Sequence, residues 1–425
     1  MAQLYPLQAV DARTMAARRS TLLFYEPGCG KTATSLAAAN LAKPSDSDRW
    51  GIVAPRNAIK GEDTWEEALT VWTPSKKNVY VTHYEALDRP DVRAELKKSR
   101  FLIFDEIHNA SNAYTKIFRN CYDVASSVHR SGGQEICATG TPIFSGIDEL
   151  AAELVLAGIL PLEQYNNFVW RYSKKSEGAF SYTELLHVPE IRQILSVYSI
   201  RRTAPEMGIK LPPLYPFKWP IFIRRDNPSD EYNRAAADFQ GWYRETQGRA
   251  LPPLARFTTL RRLLSMAKAP AVAAVSRNQI LLGKNLLLFT EFRDTAEFLH
   301  KNIPGSRLMM GGETPAQRVQ TFAAVRGGPR GGQCLVATGG ALREAANVQA
   351  LDTVGIVDQP WTPAELDQWF KRTWRNLQSR PVSLIFFLAQ NDASENHVQG
   401  VLLKKTDMLI KLGLAPTGNL RQIGF

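Results

Sequence analysis

Cysteine is scarce in this sequence, and its spacing excludes the common structural zinc sites. The four cysteines, Cys29, Cys121, Cys137 and Cys334, are scattered, and no two of them form a Cys-x-x-Cys pair. Three of them lie within or beside apolar stretches and are expected to stay reduced in a core. This usage is typical of a protein in a reducing, intracellular compartment.

Long apolar runs are also missing. The longest mostly apolar stretch, Val382–Ala389, is far too short for a helix that crosses a bilayer. The first residues, Met1–Pro6, do not have the pattern of a signal peptide, and no short repeat is present. We therefore expect a cytoplasmic location without membrane attachment.

Acidic residues are outnumbered by basic ones, 41 to 52, which gives a formal net charge of +11. This excess suits a polyanionic partner, most simply nucleic acid; the alternative is a basic surface that serves only solubility. A chain of 425 residues, 44% hydrophobic and 22% charged, is expected to form two or three globular domains.

The stretch from residue 22 to 33 reads as a buried strand, a glycine-rich turn and the start of a helix. In a phosphate-binding loop, Gly28 and Gly30 let the backbone curl so that N–H groups point at phosphate oxygens. The new helix adds the positive end of its dipole. Lys31 would then reach the β- and γ-phosphates of ATP, and the Thr32 hydroxyl would ligate Mg²⁺. The alternative is a glycine turn that happens to precede Lys-Thr.

Two nearby residues bear on this interpretation. Tyr25 occupies the position of the first glycine in the usual pattern, so the loop before Gly28 is expected to differ. About twenty residues upstream of the loop, Gln8 has an amide suited to the adenine edge. A surface glutamine near a helix start is the commoner case, and both interpretations of Gln8 stay open.

Two carboxylates follow directly after the predicted strand that begins at Phe101. An acidic pair at the end of a buried strand is unfavourable unless a cation lies beside it. Asp105 is therefore expected to hold Mg²⁺, directly or through water, and Glu106 to polarise the attacking water. The structural alternative is N-capping of the next helix. His108 is interpreted as a relay to the other lobe, although packing alone also explains a histidine here.

Hydroxyls are expected at the same edge of the first sheet. Thr139 and Thr141 follow the fifth predicted strand, where they would sense the γ-phosphate through the carboxylates or serve only in the turn. After a helical region over 147–198, the proline-rich stretch Leu211–Pro216 predicts an extended connector and a boundary. We therefore predict a first α/β domain over residues 1–215.

A second region of alternating strands and helices occupies residues 216–425, after a helical segment that ends near residue 282. Its strands are predicted over 286–290, 307–310, 333–338, 353–358 and 382–389. Such alternation is typical of a parallel sheet with helices on both faces. This region has no phosphate loop of its own, so we predict one ATP site in a cleft between two α/β lobes.

The predicted helix that starts at Pro363 carries Gln368, Arg372 and Arg375. The two arginines are spaced i and i+3, which would place them on one helical face. Either could act as an arginine finger on the γ-phosphate, a contribution of about 10³–10⁵ in rate. The alternative is a pair of surface arginines on an exposed helix.

The ordered set of motifs resembles that of the superfamily-two helicases. It comprises Gln8, Gly28-Cys-Gly-Lys-Thr32, Asp105-Glu-Ile-His108, Thr139-Gly-Thr-Pro142, Thr290-Glu-Phe292, Thr338, Glu344-Ala-Ala-Asn-Val-Gln349, and the series Gln368, Arg372, Arg375 and Gln378. The stretches Ile200-Arg-Arg-Thr203, Leu211-Pro-Pro213 and Pro360-Trp-Thr-Pro363 are similar to those of its Swi/Snf-type branch. The resemblance runs from about Leu4 to about Lys411.

The resemblance implies two tandem RecA-like lobes and hydrolysis of ATP with Mg²⁺ that DNA stimulates. For the nucleotide, it implies adenine contact at Gln8, phosphate and metal contacts at Gly28, Gly30, Lys31, Thr32 and Asp105, water activation at Glu106, and fingers at Arg372 and Arg375. It implies coupling roles for His108, Thr139, Thr141 and Gln368. It places contacts with the DNA backbone at Pro55, Arg56, Thr290, Thr338, Gly339 and Arg343, where phosphate is recognised without reading sequence.

The expected function is that of an ATP-driven translocase on duplex or branched DNA, a minimal monomeric motor whose target is set by a recruiting protein. Two alternatives stay open. One is a helicase that separates strands of DNA or RNA, because the same core motifs serve both activities. The other is a nucleotide-switched binding module without turnover, against which the intact Lys31, Glu106 and both arginines argue.

Overall fold

The chain folds into two compact units. The first comprises Met1–Lys210 and Lys404–Asn419, and the second comprises Leu211–Leu403 and Leu420–Phe425. The computed structural model describes residues 3–42, 47–59, 64–73, 78–174, 184–223, 231–239, 241–242, 244, 253–328, 331–341, 348–376, 378–390 and 392–424. None of the described helices combines the length and the apolar character that a bilayer crossing needs.

The first unit is built on a sheet of six strands, all paired in parallel. The strands are β1 (Ser20–Tyr25), β2 (Arg49–Ala54), β3 (Val79–His83), β4 (Ser99–Asp105), β5 (Gln134–Ala138) and β8 (Ser199–Arg202). Their order in the sheet is β3-β2-β4-β5-β1-β8. Because parallel strands end at one edge of a sheet, the loops that follow β1, β5 and β4 lie side by side.

Helices connect these strands, as parallel pairing requires. They are α1 (Pro6–Ala16), α2 (Lys31–Leu41), α3 (Trp65–Trp72), α4 (Pro90–Leu96), α5 (Lys116–Arg130), α6 (Ile147–Leu156), α7 (Tyr165–Tyr172) and α8 (Val188–Tyr198). A short antiparallel pair, β6 (Ser173–Lys174) and β7 (Glu184–Leu185), interrupts the region that the sequence predicts as helical. The central strands are almost continuously apolar and buried, which is typical of strands covered on both faces.

The second unit holds a second all-parallel sheet. Its strands are β9 (Leu214–Ile221), β10 (Leu286–Thr290), β11 (Arg307–Met309), β12 (Cys334–Thr338), β13 (Thr353–Ile356) and β14 (Val382–Ala389), in the order β11-β12-β10-β13-β14-β9. Its helices are α9 (Glu231–Ala237), α10 (Pro253–Leu281), α11 (Arg293–Asn302), α12 (Pro315–Arg326), α13 (Pro363–Phe370) and the beginning of α14 (Ala393–Leu412). Separate apolar clusters cover the two faces of the sheet. The prediction of two parallel-sheet α/β domains is confirmed.

Two edge strands escaped the sequence analysis. The connector expected at Leu211–Pro216 runs into β9, and β8 lies between the region expected to be helical, 147–198, and that connector. Val382 N–H donates to the carbonyl of Pro213, and Gln390 N–H donates to that of Ile221. The backbone N–H and C=O groups of odd-numbered residues in β9 therefore point toward β14. The backbone nitrogens of Pro216 and Pro220 therefore point to the open edge of the sheet, where a missing N–H removes no hydrogen bond between strands.

The last helix changes units along its length. α14 begins in the second unit, but Met408, Leu409 and Leu412 pack into the apolar core of the first. The sequence analysis assigned all of residues 216–425 to a second domain. That domain division stays a prediction. In the structure, residues 404–419 belong to the compact unit that holds the first sheet.

Glu153 is a buried acid in the first unit that no hydrogen bond satisfies. It lies on α6 with 0% exposure, and neither of its carboxyl oxygens has a partner among the described residues. Burial raises the pKa of this carboxyl well above its ordinary value, and the charges of Glu149 and Glu106 raise it further. The folded unit therefore holds Glu153 in its protonated form.

Replacing Glu153 by glutamine should change how stability depends on pH. Because the folded-state pKa is raised, the stabilising contribution of this group is present below its unfolded pKa and is lost as pH rises toward the folded pKa. Relative to Glu153→Gln, the wild-type unit should lose up to about 1.4 kcal/mol per pH unit over that interval. Urea unfolding at pH 5 to 8, followed through hydrogen exchange of α6, measures this dependence of stability on pH. Glu163→Gln, at an exposed site, is the control. Parallel profiles for wild type and Glu153→Gln would refute the assignment.

Candidate functional site

The loop between β1 and α2 has the backbone geometry of an anion-binding turn. Gly28 and Gly30 have φ values of 82° and 80°, in the region that favours glycine. A Cβ on Gly30 would lie 2.3 Å from Nε2 of Gln8, so a side chain there would displace the Gln8 amide. Helix α2 begins at Lys31, and the N–H groups of its first turn have no intrahelical acceptors. The prediction that strand, turn and helix occur in this order is met.

Gln8 holds this loop from the side of α1. Its Nε2 donates to the carbonyl of Cys29 at 2.9 Å, and its Oε1 accepts from the N–H of Tyr5 at 2.8 Å. The residue is buried, with 4% exposure. The structure thus gives Gln8 a role in positioning the loop, and contact with adenine stays a prediction.

Lys31 lies against the acidic pair at the end of β4. Its Nζ is 3.3 Å from Oε1 of Glu106. Burial alone would lower the pKa of Lys31, but the charges of Glu106 and Asp105 raise it above its ordinary value. The lysine is therefore held in its charged form beside two carboxylates.

The two carboxylates differ in their surroundings. Burial, together with the charge of Glu106, raises the pKa of Asp105 to about 6. Its Oδ2 accepts a hydrogen bond from Trp65 Nε1 at 2.9 Å, and Tyr84 donates to its carbonyl at 2.7 Å. Burial also acts to raise the pKa of Glu106, but Lys31 outweighs it, and the net shift is downward. Glu106 has a φ of 51°, a strained value for a residue with a side chain.

A hydroxyl and an imidazole complete the cluster around Glu106. Thr139 donates to Oε2 of Glu106 at 3.1 Å, and Nδ1 of His108 lies 2.9 Å from the same hydroxyl. His108 Nδ1 is also 3.3 Å from Glu106 Oε2. The Thr141 hydroxyl is farther away, 3.4 Å from His108 Nδ1. The following 3₁₀ turn, Ile107–Ala110, has no side-chain cap, so the N-capping alternative does not describe this site.

The oxygen donors next to the loop suit a hard divalent cation. Thr32 lies in the first turn of α2, and Asp105 ends β4, whose neighbour β5 lies beside β1. Mg²⁺ prefers one or two protein oxygens together with phosphate oxygens and water. Burial raises the pKa of Asp105, and a cation beside this carboxylate would favour its charged form. The residues present therefore fit Mg²⁺.

The nucleic-acid contacts predicted for the first unit lie at the carboxyl end of β2. Pro55 is half-buried and starts the turn, and Arg56 is exposed on the 3₁₀ turn Arg56–Ala58. The charge of Arg56 contributes to lowering the pKa of Glu85, after the larger effects of backbone and His83 hydrogen bonds. This edge therefore presents a cation toward solvent, and its contact with phosphate stays a prediction.

In the second unit, Thr290 has a different environment from the one expected for a phosphate contact. It is 0% exposed, and its hydroxyl donates to Oδ2 of Asp358 at 2.5 Å. Lys268 is buried beside Asp358, with Nζ 3.7 Å from Oδ1, and it also lies 2.9 Å from Glu395. Sequence analysis missed this polar cluster because Lys268 and Glu395 lie on helices far apart in the chain. The carbonyl of Thr290 also accepts from the N–H of Gly339 at 3.1 Å, and contact of this residue with phosphate stays a prediction.

The other contacts predicted for this unit follow β12. Thr338 is buried with 5% exposure, and Gly339 is also buried, with its N–H donating to the carbonyl of Thr290 at 3.1 Å. A Cβ on Gly339 would lie 2.3 Å from the ring of Trp369, so the close approach of the ring requires glycine. Arg343 lies outside the described residues.

The expectation that Arg372 and Arg375 share a helical face is wrong. Helix α13 ends at Phe370, and both arginines lie, half-buried, in the irregular turn that follows. Gln378 fixes the end of this turn by donating to the carbonyls of Gln349 and Leu351, each at 2.9 Å. Hydrogen bonds from Gln378 thus hold this turn, and the helix does not continue through it.

Gln368 precedes this turn, on α13, and is half-buried. The predicted site residues are divided between the two units. Those in the first unit are Gln8, Gly28, Gly30, Lys31, Thr32, Asp105, Glu106, His108, Thr139 and Thr141. Those in the second unit are Thr290, Thr338, Gly339, Gln368, Arg372 and Arg375. The roles assigned to these residues stay predictions.

Sequence models of two families match the chain in succession. The SNF2-related domain matches residues 71–216, and the helicase conserved C-terminal domain matches residues 271–377. Together the two matches cover more than half of the chain.

Two curated proteins are similar to the chain. The SWI/SNF-related matrix-associated actin-dependent regulator of chromatin subfamily A-like protein 1 of Drosophila melanogaster is 22% identical over 448 residues, 97% of this chain and 56% of that protein. The chromatin structure-remodeling complex protein SYD of Arabidopsis thaliana is 26% identical over 231 residues, 45% of this chain and 6% of that protein. The chain thus spans about half the length of the first relative and a small part of the second.

Solved structures with similar folds include the Sulfolobus solfataricus SWI2/SNF2 ATPase core in complex with dsDNA, with a TM-score of 0.44 and 17% identity over 98% of this chain and 97% of that one. The same core domain without DNA has a TM-score of 0.41 and 17% identity, over 94% of this chain and 88% of that one. The fold is defined by the two parallel sheets of the chain itself. With an SNF2-related domain followed by a helicase C-terminal domain, the chain belongs to the Swi/Snf-type branch of the superfamily-two helicase-like proteins.

Proposed function

We propose that this protein is an ATP-dependent translocase of the Swi/Snf type that acts on double-stranded or branched DNA and hydrolyses ATP faster when DNA is bound. The observation that carries the proposal is the cluster of Lys31, Glu106, Thr139 and His108 beside a loop with the geometry of a phosphate site. A structural ion pair needs neither the loop nor the strained backbone of Glu106. A site for hydrolysis of a triphosphate uses all of them.

The first step is capture of the triphosphate. Backbone N–H groups at the start of α2 and the Lys31 ammonium offer positive charge to the phosphates. Lys31 is paired with Glu106 at 3.3 Å. A phosphate that attracts the lysine would leave Oε1 of Glu106 available to accept a hydrogen bond from the attacking water.

Thr139 and His108 orient the carboxylate of Glu106 during this step. They hold Oε2, the oxygen that Lys31 does not contact, at 3.1 and 3.3 Å. A carboxylate fixed at one oxygen keeps the other directed at the water. Thr32 and Asp105 would hold Mg²⁺, which when bound neutralises charge on the phosphate oxygens.

Guanidinium groups of the second unit complete the proposed site. Arg372 and Arg375 lie in the turn after α13, which Gln378 anchors. We assign them as arginine fingers on the γ-phosphate, with the nucleotide in a cleft between the two lobes and with Gln368 coupling the lobes. The order of the two matched family domains supports this assignment.

DNA is the proposed partner, and we expect the protein to act as a monomer that a recruiting protein directs. A net charge of +11 favours a polyanion, and the names of both curated relatives refer to chromatin. Arg56, exposed at the carboxyl end of β2, offers a cation for the phosphates, and the buried Gly339, after β12, is assigned to the same contacts. Pro55, Thr338 and Arg343 are assigned to the same contacts.

ATP hydrolysis should rise most with duplex or forked DNA, less with single-stranded DNA and least with RNA, and the stimulation should fall with salt. Steady-state phosphate release with the four polymers side by side measures this.

Glu106→Gln should still bind nucleotide but hydrolyse it at least about 10² times more slowly, while the exposed control Glu66→Gln should match wild type.

Strongest stimulation by RNA would contradict the proposed partner. Normal turnover by Glu106→Gln would remove the assignment of the residue that activates water. No hydrolysis with any of the polymers would favour a binding module without turnover.

Replacing Thr139 by valine should separate catalysis from binding. Valine keeps the volume but removes the hydroxyl that joins Glu106 to His108, so kcat should fall on the order of tenfold while the Kd for nucleotide stays within about twofold. Thr141→Val, which removes a hydroxyl 3.4 Å from His108, is the matched control and should have a smaller effect. Equal losses in the two variants would show that Thr139 does not orient Glu106.

A further inference from the structure

Glu26 is a buried acid at the start of the phosphate loop, and the proposed reaction does not use it. The residue follows β1 directly and is 1% exposed. Its N–H donates to the carbonyl of Arg202 at 3.0 Å, and its own carbonyl accepts from the N–H of Cys29 at 3.1 Å. The main chain of Glu26 therefore joins the edge of the sheet to the turn of the loop.

The side chain of Glu26 is satisfied by backbone N–H groups from two distant segments. Its Oε2 accepts from the N–H of Ala204 at 2.9 Å, and its Oε1 accepts from the N–H of Thr417. The guanidinium of Arg201 lies 3.7 Å from Oε1. A buried carboxylate is stable only with such partners, so removal of one of them leaves the charge undercompensated.

Thr417 belongs to the C-terminal segment, residues 404–419, which the first unit includes. Arg201 ties this segment to β1, because it donates to the carbonyls of Phe24 and Ala415 at 3.1 and 2.8 Å. Arg192 donates to the carbonyl of Lys411 at 2.7 Å. The segment is thus fixed at several points around the strand that leads into the loop.

Neither family match reaches this segment, since the matches end at residues 216 and 377. Gln8 supports the loop at Cys29, and Glu26 supports it at the opposite end. The curvature of the loop, which sets the direction of its N–H groups, therefore depends on two buried polar side chains. One of them is held by residues nearly 400 positions later in the chain.

We propose that the C-terminal segment, residues 404–419, is part of the nucleotide-binding unit, and that Glu26 is the positioning residue that couples it to the phosphate loop. Nucleotide affinity then depends on the backbone N–H of Thr417. The inference rests on the proposed function only in taking a nucleoside triphosphate as the ligand of the loop.

Two substitutions at one position test the coupling. Thr417→Pro removes the N–H that Glu26 accepts, whereas Thr417→Ala keeps it. In the full chain, Thr417→Pro should weaken binding of a fluorescent ATP analogue with Mg²⁺ on the order of tenfold, and Thr417→Ala should bind within about twofold of wild type. The effect should appear in the KM for ATP more than in kcat, because the loop binds nucleotide before the reaction.

Glu26→Gln distinguishes coupling from general damage. If Glu26 transmits the effect, the double variant with Thr417→Pro should bind no more weakly than Glu26→Gln alone, within about twofold. Effects that multiply in the double variant, or wild-type affinity of Thr417→Pro, would overturn the proposal.

A measurement on the unmodified protein covers the case in which Thr417→Pro does not fold. Since coupling is reciprocal, the ATP analogue should slow hydrogen exchange in a peptide that spans residues 413–420. Unchanged exchange there, with slowed exchange over residues 26–33, would refute the coupling. If the wild-type protein binds no nucleotide, the proposed function fails. The coupling is then tested in Glu26→Gln without nucleotide. Hydrogen exchange should become faster in residues 26–33 and in the 413–420 peptide together. Faster exchange in only one of these two stretches would refute the coupling.

Discussion

The ion pair between Lys31 and Glu106 is the interaction on which the site depends. The ammonium of Lys31 lies beside two carboxylates at the end of β4. Burial acts to lower its pKa, but the charges of the carboxylates raise it, and Lys31 in turn lowers the pKa of Glu106. Asp105 receives less of this compensation, and its pKa rises instead. In the proposed reaction, a triphosphate would compete with Glu106 for the same lysine, so that binding of the nucleotide and release of the carboxylate would be one event.

The sheet order makes this arrangement possible. The neighbouring positions of β4, β5 and β1 bring three loops to one edge, and each supplies a different group: carboxylates, hydroxyls, and the lysine with its glycine turn. Thr139 donates a hydrogen bond to Glu106, whose φ is positive. In the loop, Gln8 donates to the carbonyl of Cys29, and at its start Glu26 accepts from the N–H of Ala204.

Much of this could be predicted from the sequence, because buried parallel strands are apolar runs and motif residues follow them directly. Strand β14 was predicted at its observed bounds, Val382–Ala389. β9 was missed because its prolines favour a connector, and only the pairing shows that they face outward. The turn after α13 was read as helix because Arg372 and Arg375 have helical spacing, but spacing does not reveal the Gln378 anchor. Contacts between residues far apart in the chain, such as Glu26 with Thr417, leave no local pattern.

The most direct measurement is a double-mutant cycle on the equilibrium affinity for a non-hydrolysable ATP analogue. Because Glu106 holds Lys31, Glu106→Gln should tighten binding by about threefold to tenfold in the wild-type background. In the Lys31→Ala background the same substitution should change affinity by clearly less. An equal effect of Glu106→Gln in both backgrounds, or weaker binding in the first, would contradict competition between phosphate and carboxylate for the lysine.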